Sequence, residues 1–172
     1  MKVIKVDYEV FVRNFNQAKV NLETYMAKAV ENGLVDEDFK RPKLNFNLRG
    51  QTGGKAYYRQ HEIRLNKELL GIEANTQQMV ENTLAHELAH LIVGASYPRA
   101  KPHGIEFQRV MRRLGEVPTT THSMDIAPKS GEVPYKCNCV DEHMLSPIRH
   151  KKVLRGASYR CGICKTKLVE VG

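Results

Sequence analysis

The sequence predicts an α+β fold, in which helices pack on one small sheet and a cysteine-rich unit follows. Three observations support this prediction. Apolar residues recur at helical spacing over residues 8–34, they alternate with polar residues over residues 44–48, and every cysteine lies after residue 136. Because the strands are grouped between helices rather than alternating with them, helices and sheet should segregate. A chain of 172 residues can bury one main core and carry one appended unit.

One long helix and the strands of the sheet are predicted in the first half of the chain. The helix is amphipathic over residues 8–34 and should end near Gly33. Pro42 prevents any helical continuation, so strands are expected after it. Arg64 lies between apolar neighbours, and we expect it to pair with a carboxylate. The expected strands are residues 44–48, 56–58 and 62–65, with a turn at residues 50–54.

Two more helices are expected between the sheet and residue 115. The first should begin at a capping pair formed by Asn75 and Gln78. Its apolar stripe contains Val80, Leu84, Leu88 and Leu91. The second helix should begin after a proline-bounded loop at residues 97–102. Its apolar positions are Phe107, Val110, Met111 and Leu114.

Proline, threonine and serine are concentrated between residues 116 and 134, which indicates a linker or a covering loop. We therefore assign a main domain to residues 1–125, a linker to 126–134 and a cysteine-rich unit to 135–172. No apolar run approaches the roughly 18 residues that a membrane helix needs. The first residues also lack a long apolar signal segment, so we expect a cytoplasmic monomer with no membrane partner.

Residues 86–90 form the pattern His-Glu-Leu-Ala-His, in which two histidines lie four residues apart on a predicted helix. Side chains at this spacing share one face, roughly 6 Å apart at Cβ, and their imidazoles can bind one Zn²⁺ at about 2.0 Å. Glu87 is turned about 100° from His86, where it can reach a water on the metal without being a ligand. The alternative is a pair of structural histidines, but buried histidines on an apolar helix need a partner. The pattern favours a zinc-dependent peptidase.

A catalytic zinc usually has three protein ligands and leaves a fourth position to water, so a third ligand should follow His90. Val93 and Ser96 occupy the positions where the metzincin pattern has glycine and histidine, which excludes that arrangement. The nearby candidates are His103 and Glu106. Glu106 is explained more simply as a first-turn carboxylate that interacts with the helix dipole, so we favour His103.

The chain resembles the SprT-like zinc metallopeptidases from about Pro42 to Leu168. The resemblance rests on several separate blocks of residues that follow one another in the order typical of this family. They are residues 54–57, 62–66, 86–90, 102–104, 121–122, 135–139, 149–150, 155–156 and 159–164. It implies a zincin-like α+β domain with a C-terminal zinc ribbon. It also implies that Glu87 is the general base and that the ligands of the catalytic zinc are His86, His90 and His103. Eukaryotic relatives such as Spartan degrade proteins trapped on DNA, which implies a DNA-linked protein substrate, although bacterial members resemble this chain more closely.

The four cysteines form two close pairs. Cys161 and Cys164 are separated by two residues, as in a zinc knuckle, whereas only one residue separates Cys137 and Cys139. In an intracellular protein, cysteines are explained more easily as metal ligands than as disulfides. We expect all four to hold a structural zinc in a ribbon of short strands. The alternatives are two metal-free hairpins, or a Cys₃His site that uses His143 or His150.

Basic residues are concentrated in the cysteine-rich unit. From Lys129 onwards there are nine Lys/Arg against four Asp/Glu, a formal charge of +5 out of +8 for the whole chain. Four thiolates on one Zn²⁺ would lower the charge of this unit to about +3, which still favours contact with a phosphate backbone at the nucleoid. The alternative is a solvated hairpin that keeps the protein soluble. The residues expected to contact nucleic acid are Arg149, Lys151, Lys152, Arg155, Arg160 and, as a stacking ring, Tyr159.

The motifs predict a zinc endopeptidase, and the resemblance implies that it acts on DNA-bound or DNA-crosslinked proteins, to which its ribbon would recruit it. Zinc would lower the pKa of its water toward 7, and Glu87 would take the proton and return it to the leaving amine. The candidates for stabilising the oxyanion besides zinc are Tyr97, Arg99 and His122. The alternative function is a non-catalytic, zinc-dependent nucleic-acid adaptor, whose helix site would need a fourth protein ligand.

Overall fold

The computed structural model describes residues 6–119, 124, 132–139 and 143–171. The chain divides into two compact units, Met1–Ala127 (unit 1) and Pro128–Gly172 (unit 2). Helices and strands occur in both units, which confirms the mixed α+β composition expected from the sequence. Within the described ranges, no helix combines the length and the apolar composition needed to cross a bilayer.

Helix α1 covers Tyr8–Glu31, close to the predicted range. Asp7 caps its start, because the carboxylate of Asp7 accepts hydrogen bonds from the backbone N–H groups of Glu9, at 2.8 Å, and Val10. Gly33 follows the helix with a φ of +61°, a conformation that glycine adopts without steric cost, so the helix stops where predicted. One face is buried, and it carries Asn14, Ala18, Leu22, Tyr25 and Ala29.

The sheet of unit 1 has three strands in the order β1, β3, β2. Their bounds are Lys43–Leu48 for β1, Gly54–Tyr57 for β2 and Glu62–Asn66 for β3. The central strand β3 is parallel to β1 and antiparallel to β2, and its apolar residues Ile63 and Leu65 are fully buried. Arg64 pairs with the carboxylate of Glu62, which confirms the predicted partner type.

The helical segment that contains residues 86–90 departs from regular geometry. After β3 come the short helix α2, Lys67–Leu70, and a 3₁₀ turn at Glu73–Asn75. Helical backbone then continues without a break from residue 76 to residue 96, near the predicted start. Gln78–Thr83 is a π-helix, however, and α geometry resumes only in α3, Leu84–Ser96. Because a π-helix widens each turn by about one residue, this stretch differs from the single α-helix that we expected.

Helix α4 covers Ile105–Leu114 and packs against α3. Its four predicted apolar positions are buried, and so are the four predicted positions of the preceding helical segment. Gly115 ends α4 with a φ of +91°, where a residue with a Cβ would be strained. The apolar faces of α1, α3, α4 and strand β3 form one core in unit 1.

Unit 2 contains a second three-stranded sheet, in the order β5, β4, β6, with antiparallel pairing throughout. The bounds are Val133–Lys136 for β4, His143–Leu145 for β5 and Val169–Glu170 for β6. Val133 and Pro134, which we assigned to the linker, therefore belong to the first strand of this unit. The core is small and consists of Tyr135, Leu145, Cys161 and Leu168, with partly buried neighbours.

Unit 2 also contains a helix that the sequence analysis did not predict. Helix α5 covers Pro147–Leu154, and the hydroxyl of Ser146 accepts a hydrogen bond from the backbone N–H of Arg149 at 3.4 Å. Serine at the cap followed by proline at the first position is a common helix start. None of the residues of α5 is fully buried, so no apolar stripe marked the helix in the sequence.

Candidate metal centres and catalytic site

Three histidine side chains converge in unit 1. The Nε2 atoms of His86, His90 and His103 are each 3.1 Å from the other two. Three nitrogens bound at about 2.0–2.1 Å to one tetrahedral ion lie about 3.3 Å apart, so this triangle has the dimensions of a metal site. The three side chains could hold a metal ion, and the donor set is consistent with zinc. Glu106, the other candidate, lies in the first turn of α4 and outside this group.

The three histidines come from different elements. Helix α3 presents His86 and His90 one turn apart on the same face, as their four-residue spacing predicts. His103 lies in the turn before α4, with a φ of +57° in the left-handed region. Residues with a Cβ are uncommon in this region, and when they occur they tend to cluster at functional sites. The turn is closed by a hydrogen bond of 2.9 Å from the N–H of Gly104 to the carbonyl of Lys101.

The ring of Phe107 lies against all three histidines. Its centroid is 4.8 Å from that of His86, 4.7 Å from that of His90 and 4.9 Å from that of His103. Phe107 is fully buried in α4, so it forms an apolar floor that limits the movement of the imidazoles. The sequence analysis identified Phe107 only as a core position, because helical spacing does not show what packs above a residue.

The environment of the histidines favours neutral imidazoles. Burial, and then the neighbouring His103, lower the pKa of His86 to about 4. Burial, followed by His86 and His103, lowers the pKa of His90 to about 4. At pH 7 both rings are therefore uncharged, which is the form that binds a metal. A hydrogen bond with the backbone of Thr119 acts on the pKa of His86 in the opposite direction.

Glu87 is buried beside the histidines, with 8% of its surface exposed. Burial raises the pKa of Glu87 to about 7, and a hydrogen bond with the backbone of Ala56 in β2 opposes this shift. A carboxyl group with this pKa can accept and release a proton near neutral pH. Strand β2 approaches the side chain so closely that a Cβ at Gly54 would lie 2.8 Å from Cγ of Glu87. Gly54 is thus a site residue, although the sequence analysis placed it only in a turn and in one of the blocks that carry the resemblance.

A cavity of about 310 Å³ opens beside two of the histidines. Gly94 in α3 allows the ring of Tyr58 to form one wall, since a Cβ at Gly94 would lie 2.4 Å from Cε1 of Tyr58. Burial, and then the charge of Glu87, raise the pKa of Tyr58, so its hydroxyl stays protonated. The sequence analysis did not identify Tyr58. The other principal residues of the lining are Val93, Tyr97, Ala100, Phe107, His90 and His103.

The three residues considered for oxyanion stabilisation have different positions. Tyr97 lines the cavity beside the histidines. Arg99 is exposed and lines an adjacent depression together with Glu106. His122 lies outside the described residues. Of the two that are described, Tyr97 is therefore the one that shares a cavity with the histidine site.

The four cysteines come together in unit 2. The sulfur atoms of Cys137, Cys139, Cys161 and Cys164 all lie within 4.8 Å of one another, and those of Cys139 and Cys161 are 3.9 Å apart. Four sulfurs bound at about 2.3 Å to one tetrahedral ion lie about 3.8 Å apart. This group could therefore hold a second metal ion, and thiolate ligands are consistent with zinc.

The two histidines considered as replacement ligands have other contacts. Nε2 of His143 is 3.2 Å from the sulfur of Cys137, and Nδ1 of His150 is 3.0 Å from the hydroxyl of Tyr135. Neither histidine belongs to the four-cysteine group. The geometry favours four sulfur ligands, with His143 as a hydrogen-bonding neighbour of one of them.

The surroundings of the sulfur atoms favour ionisation at one position. The hydroxyl of Thr166 lies 2.8 Å from Sγ of Cys164 and is the main reason why the pKa of Cys164 is lowered to about 5. Hydrogen bonds among the sulfurs, first with Cys164, raise the pKa of Cys139 to about 12. Ionisation of one thiol thus makes ionisation of the next less favourable. A bound cation would relieve the repulsion between the thiolates.

The residues expected to contact nucleic acid all lie in unit 2. Tyr159 is half-buried, and the guanidinium of Arg149 lies 5.8 Å from the centroid of its ring. One face of the predicted stacking ring is therefore already covered by an arginine. The five basic residues of this set are all exposed, and four of them lie on α5 or at its C-terminal cap; we refer to them together as the basic surface of unit 2, Arg149, Lys151, Lys152, Arg155 and Arg160.

The fold and the two ligand groups define a small α+β protein with two candidate metal centres. The SprT-like family model matches residues 22–127. The chain is 37% identical to Protein SprT of Vibrio atlanticus (strain LGP32) over 159 residues, which are 91% of this chain and 94% of that protein. It is 41% identical to Protein SprT of Proteus mirabilis (strain HI4320) over 140 residues, which are 80% of this chain and 82% of that protein.

The chain belongs to the SprT-like family, which confirms the resemblance found in its sequence. A further relative, Protein SprT of Yersinia pseudotuberculosis serotype IB (strain PB1/+), is 42% identical over 133 residues, 76% of each chain. No solved structure matches the chain.

Proposed function

We propose that this protein is a zinc endopeptidase with a zincin-like domain, and that it cleaves proteins bound or crosslinked to DNA. One observation carries the proposal, the buried Glu87 beside three converging histidines. Three nitrogen ligands leave one position of a tetrahedral ion open, as in catalytic zinc sites, whereas structural sites use four protein ligands. Membership of the SprT-like family supports the same activity.

Two groups of side chains would hold metal in this proposal. The catalytic ion would be held by His86, His90 and His103, and a structural ion by the four cysteines. When bound, zinc supplies positive charge that acidifies water and polarises a carbonyl oxygen. The chain contributes uncharged imidazoles at pH 7 and, through Phe107, a rigid floor beneath them.

Glu87 moves the protons during hydrolysis. Its carboxylate accepts a proton from the attacking water as the oxygen of that water bonds to the peptide carbon. The resulting carboxylic acid then donates the proton to the nitrogen of the leaving amine as the C–N bond breaks. A pKa of about 7 makes both forms of Glu87 accessible near neutral pH. The backbone of Ala56 and the close approach of Gly54 hold the carboxylate in place.

The test of the peptidase is the variant Glu87→Gln, assayed on an unfolded protein substrate without DNA, with single-stranded DNA and with duplex DNA. We expect cleavage to fall by at least about 100-fold, because the amide cannot accept the proton. Zinc content should be unchanged. Glu106→Gln is the matched control, because this carboxylate lies outside the histidine group and its loss should leave cleavage intact.

Two results would count against this assignment. Cleavage that persists in Glu87→Gln would show that another group is the base. If the wild-type protein binds DNA and zinc but cleaves nothing under any of the three conditions, the nucleic-acid adaptor becomes the better description.

Recruitment to DNA is the second part of the proposal, and the basic surface of unit 2 supports it. Neutralising Lys151, Lys152 and Arg155 together should weaken DNA binding and reduce the slope of log affinity against log salt by ~2–3, since each phosphate contact contributes about 0.9. Binding can be measured by fluorescence anisotropy from 50 to 300 mM salt, a range over which the Debye length shortens about 2.4-fold. The control carries the same charge change on exposed residues of unit 1, Lys19→Gln, Lys40→Gln and Arg109→Gln. If the two variants weaken DNA binding equally, the net charge of the protein, and not the position of these residues in unit 2, explains the binding.

A further inference from the structure

The cavity beside the histidine site has the size of a pocket for one side chain. Its volume is about 310 Å³, and His90 and His103 form part of its wall. Pockets for small ligands measure about 300–1,000 Å³, so this one suits a single side chain better than a folded segment. Consecutive Cα atoms of a peptide are about 3.8 Å apart. A peptide bond held at the histidine site therefore has flanking side chains within reach of the cavity.

Helix α3 supplies two of the histidines and also part of the cavity wall. Val93 and Gly94 follow His90 by three and four residues, so they lie on the same side of the helix. Val93 is 8% exposed, and Phe107 of α4, which also lines the cavity, is 1% exposed. Neither side chain carries a polar atom. This part of the wall is thus apolar and is held in place by packing in the core.

Tyr58 forms another part of the wall, from the turn that follows strand β2. The N–H of His61 donates to the carbonyl of Tyr58 at 3.2 Å, which closes this turn. The ring of Tyr58 lies against the backbone of Gly94, where a Cβ would be 2.4 Å from Cε1 and 2.6 Å from Cδ1 of the ring. Tyr58 nevertheless remains 57% exposed. Much of the ring is therefore free to contact a ligand.

The loop before α4 completes the wall. The N–H of Ala100 donates to the carbonyl of Tyr97 at 2.9 Å, which closes a turn in this loop. Tyr97 is 46% exposed, and Ala100 is half-buried. Apart from the two histidines, Lys101 is the one acidic or basic residue among the described residues that line the cavity, and it is exposed. Because no carboxylate lines the cavity, a basic side chain would find no partner there.

We infer that this cavity is a substrate subsite that selects an apolar side chain, such as that of leucine or phenylalanine, close to the peptide bond that is cleaved. Tyr58 is its specificity-determining residue. The inference rests on the proposed peptidase function and adds the class of sequence that the protein cuts. An apolar side chain in the cavity would remove the exposed rings of Tyr58 and Tyr97 from water, which is favourable. Glycine at the same position of the substrate would leave both rings exposed.

The first experiment gives the full-length, zinc-loaded protein an equimolar set of peptides and maps the cleaved bonds by mass spectrometry. We expect leucine or phenylalanine to exceed glycine at least about 10-fold at one position within two residues of the cleaved bond. Tyr58→Ala should remove most of this preference, whereas Tyr58→Phe, which keeps the ring, should retain it. Ala100→Leu, which fills the cavity, should shift the preference towards glycine and alanine. The matched control is Tyr8→Ala, because Tyr8 is 77% exposed on α1 and outside the cavity.

The second experiment does not need cleavage. N-acetyl-leucinamide is titrated into the same protein carrying ¹³C-labelled valine methyl groups, and the Val93 signals are assigned by their absence in Val93→Ile. The probe should shift these signals saturably, and N-acetylglycinamide should not. Tyr58→Ala should weaken binding of the leucine probe, and Ala100→Leu should abolish it.

Several results would overturn the inference. They are cleavage with no preference or with a preference for charged side chains, loss of the preference in Tyr58→Phe, and equal effects of Tyr58→Ala and Tyr8→Ala. Equal shifts by the two probes, or no shift at Val93, overturn it even if the protein cleaves peptides. If the leucine probe binds at Val93 and no peptide is cleaved, the peptidase proposal has failed and the apolar selectivity of the cavity stands.

Discussion

At the scale of single residues, Phe107 connects the core of unit 1 to the candidate metal site. Its side chain belongs to the buried face of α4, and the centroid of its ring lies 4.7–4.9 Å from those of three imidazoles. Packing in the core and the arrangement of the ligands therefore depend on the same side chain. Loss of this ring would leave a cavity beneath the histidines, and the imidazoles would gain freedom to rotate.

We expect Phe107→Ala to lower the free energy of unfolding of the metal-free protein by about 3–5 kcal/mol, the usual effect of removing a buried aromatic ring. Urea denaturation followed by circular dichroism measures this change. The control is Phe39→Ala, because Phe39 is only partly buried and packs on His61 at the margin of the core. Its effect should be clearly smaller, and an equal loss in the two variants would contradict the role given to Phe107.

At the scale of secondary structure elements, Glu62 links two strands. Hydrogen bonds from Asn45 in β1, and then from Arg64 in β3, lower the pKa of Glu62. The folded protein therefore binds a proton at this carboxyl less readily than the unfolded chain does. The resulting stabilisation is complete above the ordinary glutamate pKa and is lost as the pH falls through the lowered value.

Glu62→Gln tests this pH dependence. The variant should melt at a lower temperature than wild type at pH 7, and the difference should shrink as the pH falls below about 4.3. Melting curves of chelator-treated protein between pH 7 and about pH 3 measure it. Glu37→Gln, which changes an exposed carboxylate, should follow wild type throughout. A constant difference between Glu62→Gln and wild type at all pH values would rule out the ionised carboxylate as the cause.

The elements differ in how far the sequence determined them. Helix α4 was predictable because four apolar residues recur at helical spacing and all are buried. The π-helix was not, because its extra width depends on contacts with distant residues, such as the hydrogen bond of 2.8 Å from Asn21 to the carbonyl of Val80. Helix α5 had a start signal in Ser146 and Pro147, but basic residues along an exposed helix leave no period to detect.

The residues of the candidate site also differ in how well the sequence predicts them. His86, Glu87 and His90 were predictable because neighbouring positions on one helix fix their geometry. The surroundings of these residues come from other parts of the chain. They include Gly54 in strand β2, Phe107 in α4 and Thr119 after α4. No local pattern in the sequence indicates which of these positions meet after folding.

At the scale of the whole molecule, the two units have very different cores. Unit 1 has a large apolar core, whereas only four buried apolar residues are found among the described residues of unit 2. A core of this size cannot by itself offset the loss of chain entropy on folding, so metal binding to the cysteines should supply the difference.

If the four cysteines hold zinc as proposed, its removal should unfold unit 2 and leave unit 1 folded. Amide hydrogen exchange with and without a chelator measures this, and protection should be lost in β4, β5 and α5 but retained in α1 and α4. Cys161→Ser should reproduce the loss without a chelator, because it removes one sulfur ligand. Protection of unit 2 that survives both treatments would show that its apolar core is sufficient.

The order of these parts along the chain has a consequence during synthesis. The described residues of the histidine site and its supports all lie at or before Thr119, whereas Cys164, the last sulfur of the second group, follows 45 residues later. At about 5–20 residues per second, the ribosome needs roughly 2–9 s to add that stretch. The histidine site can thus be complete on the nascent chain before the four-cysteine site exists. A newly made molecule would then pass through a short period in which it can bind its first metal ion but has not yet formed the surface proposed to recruit it to DNA.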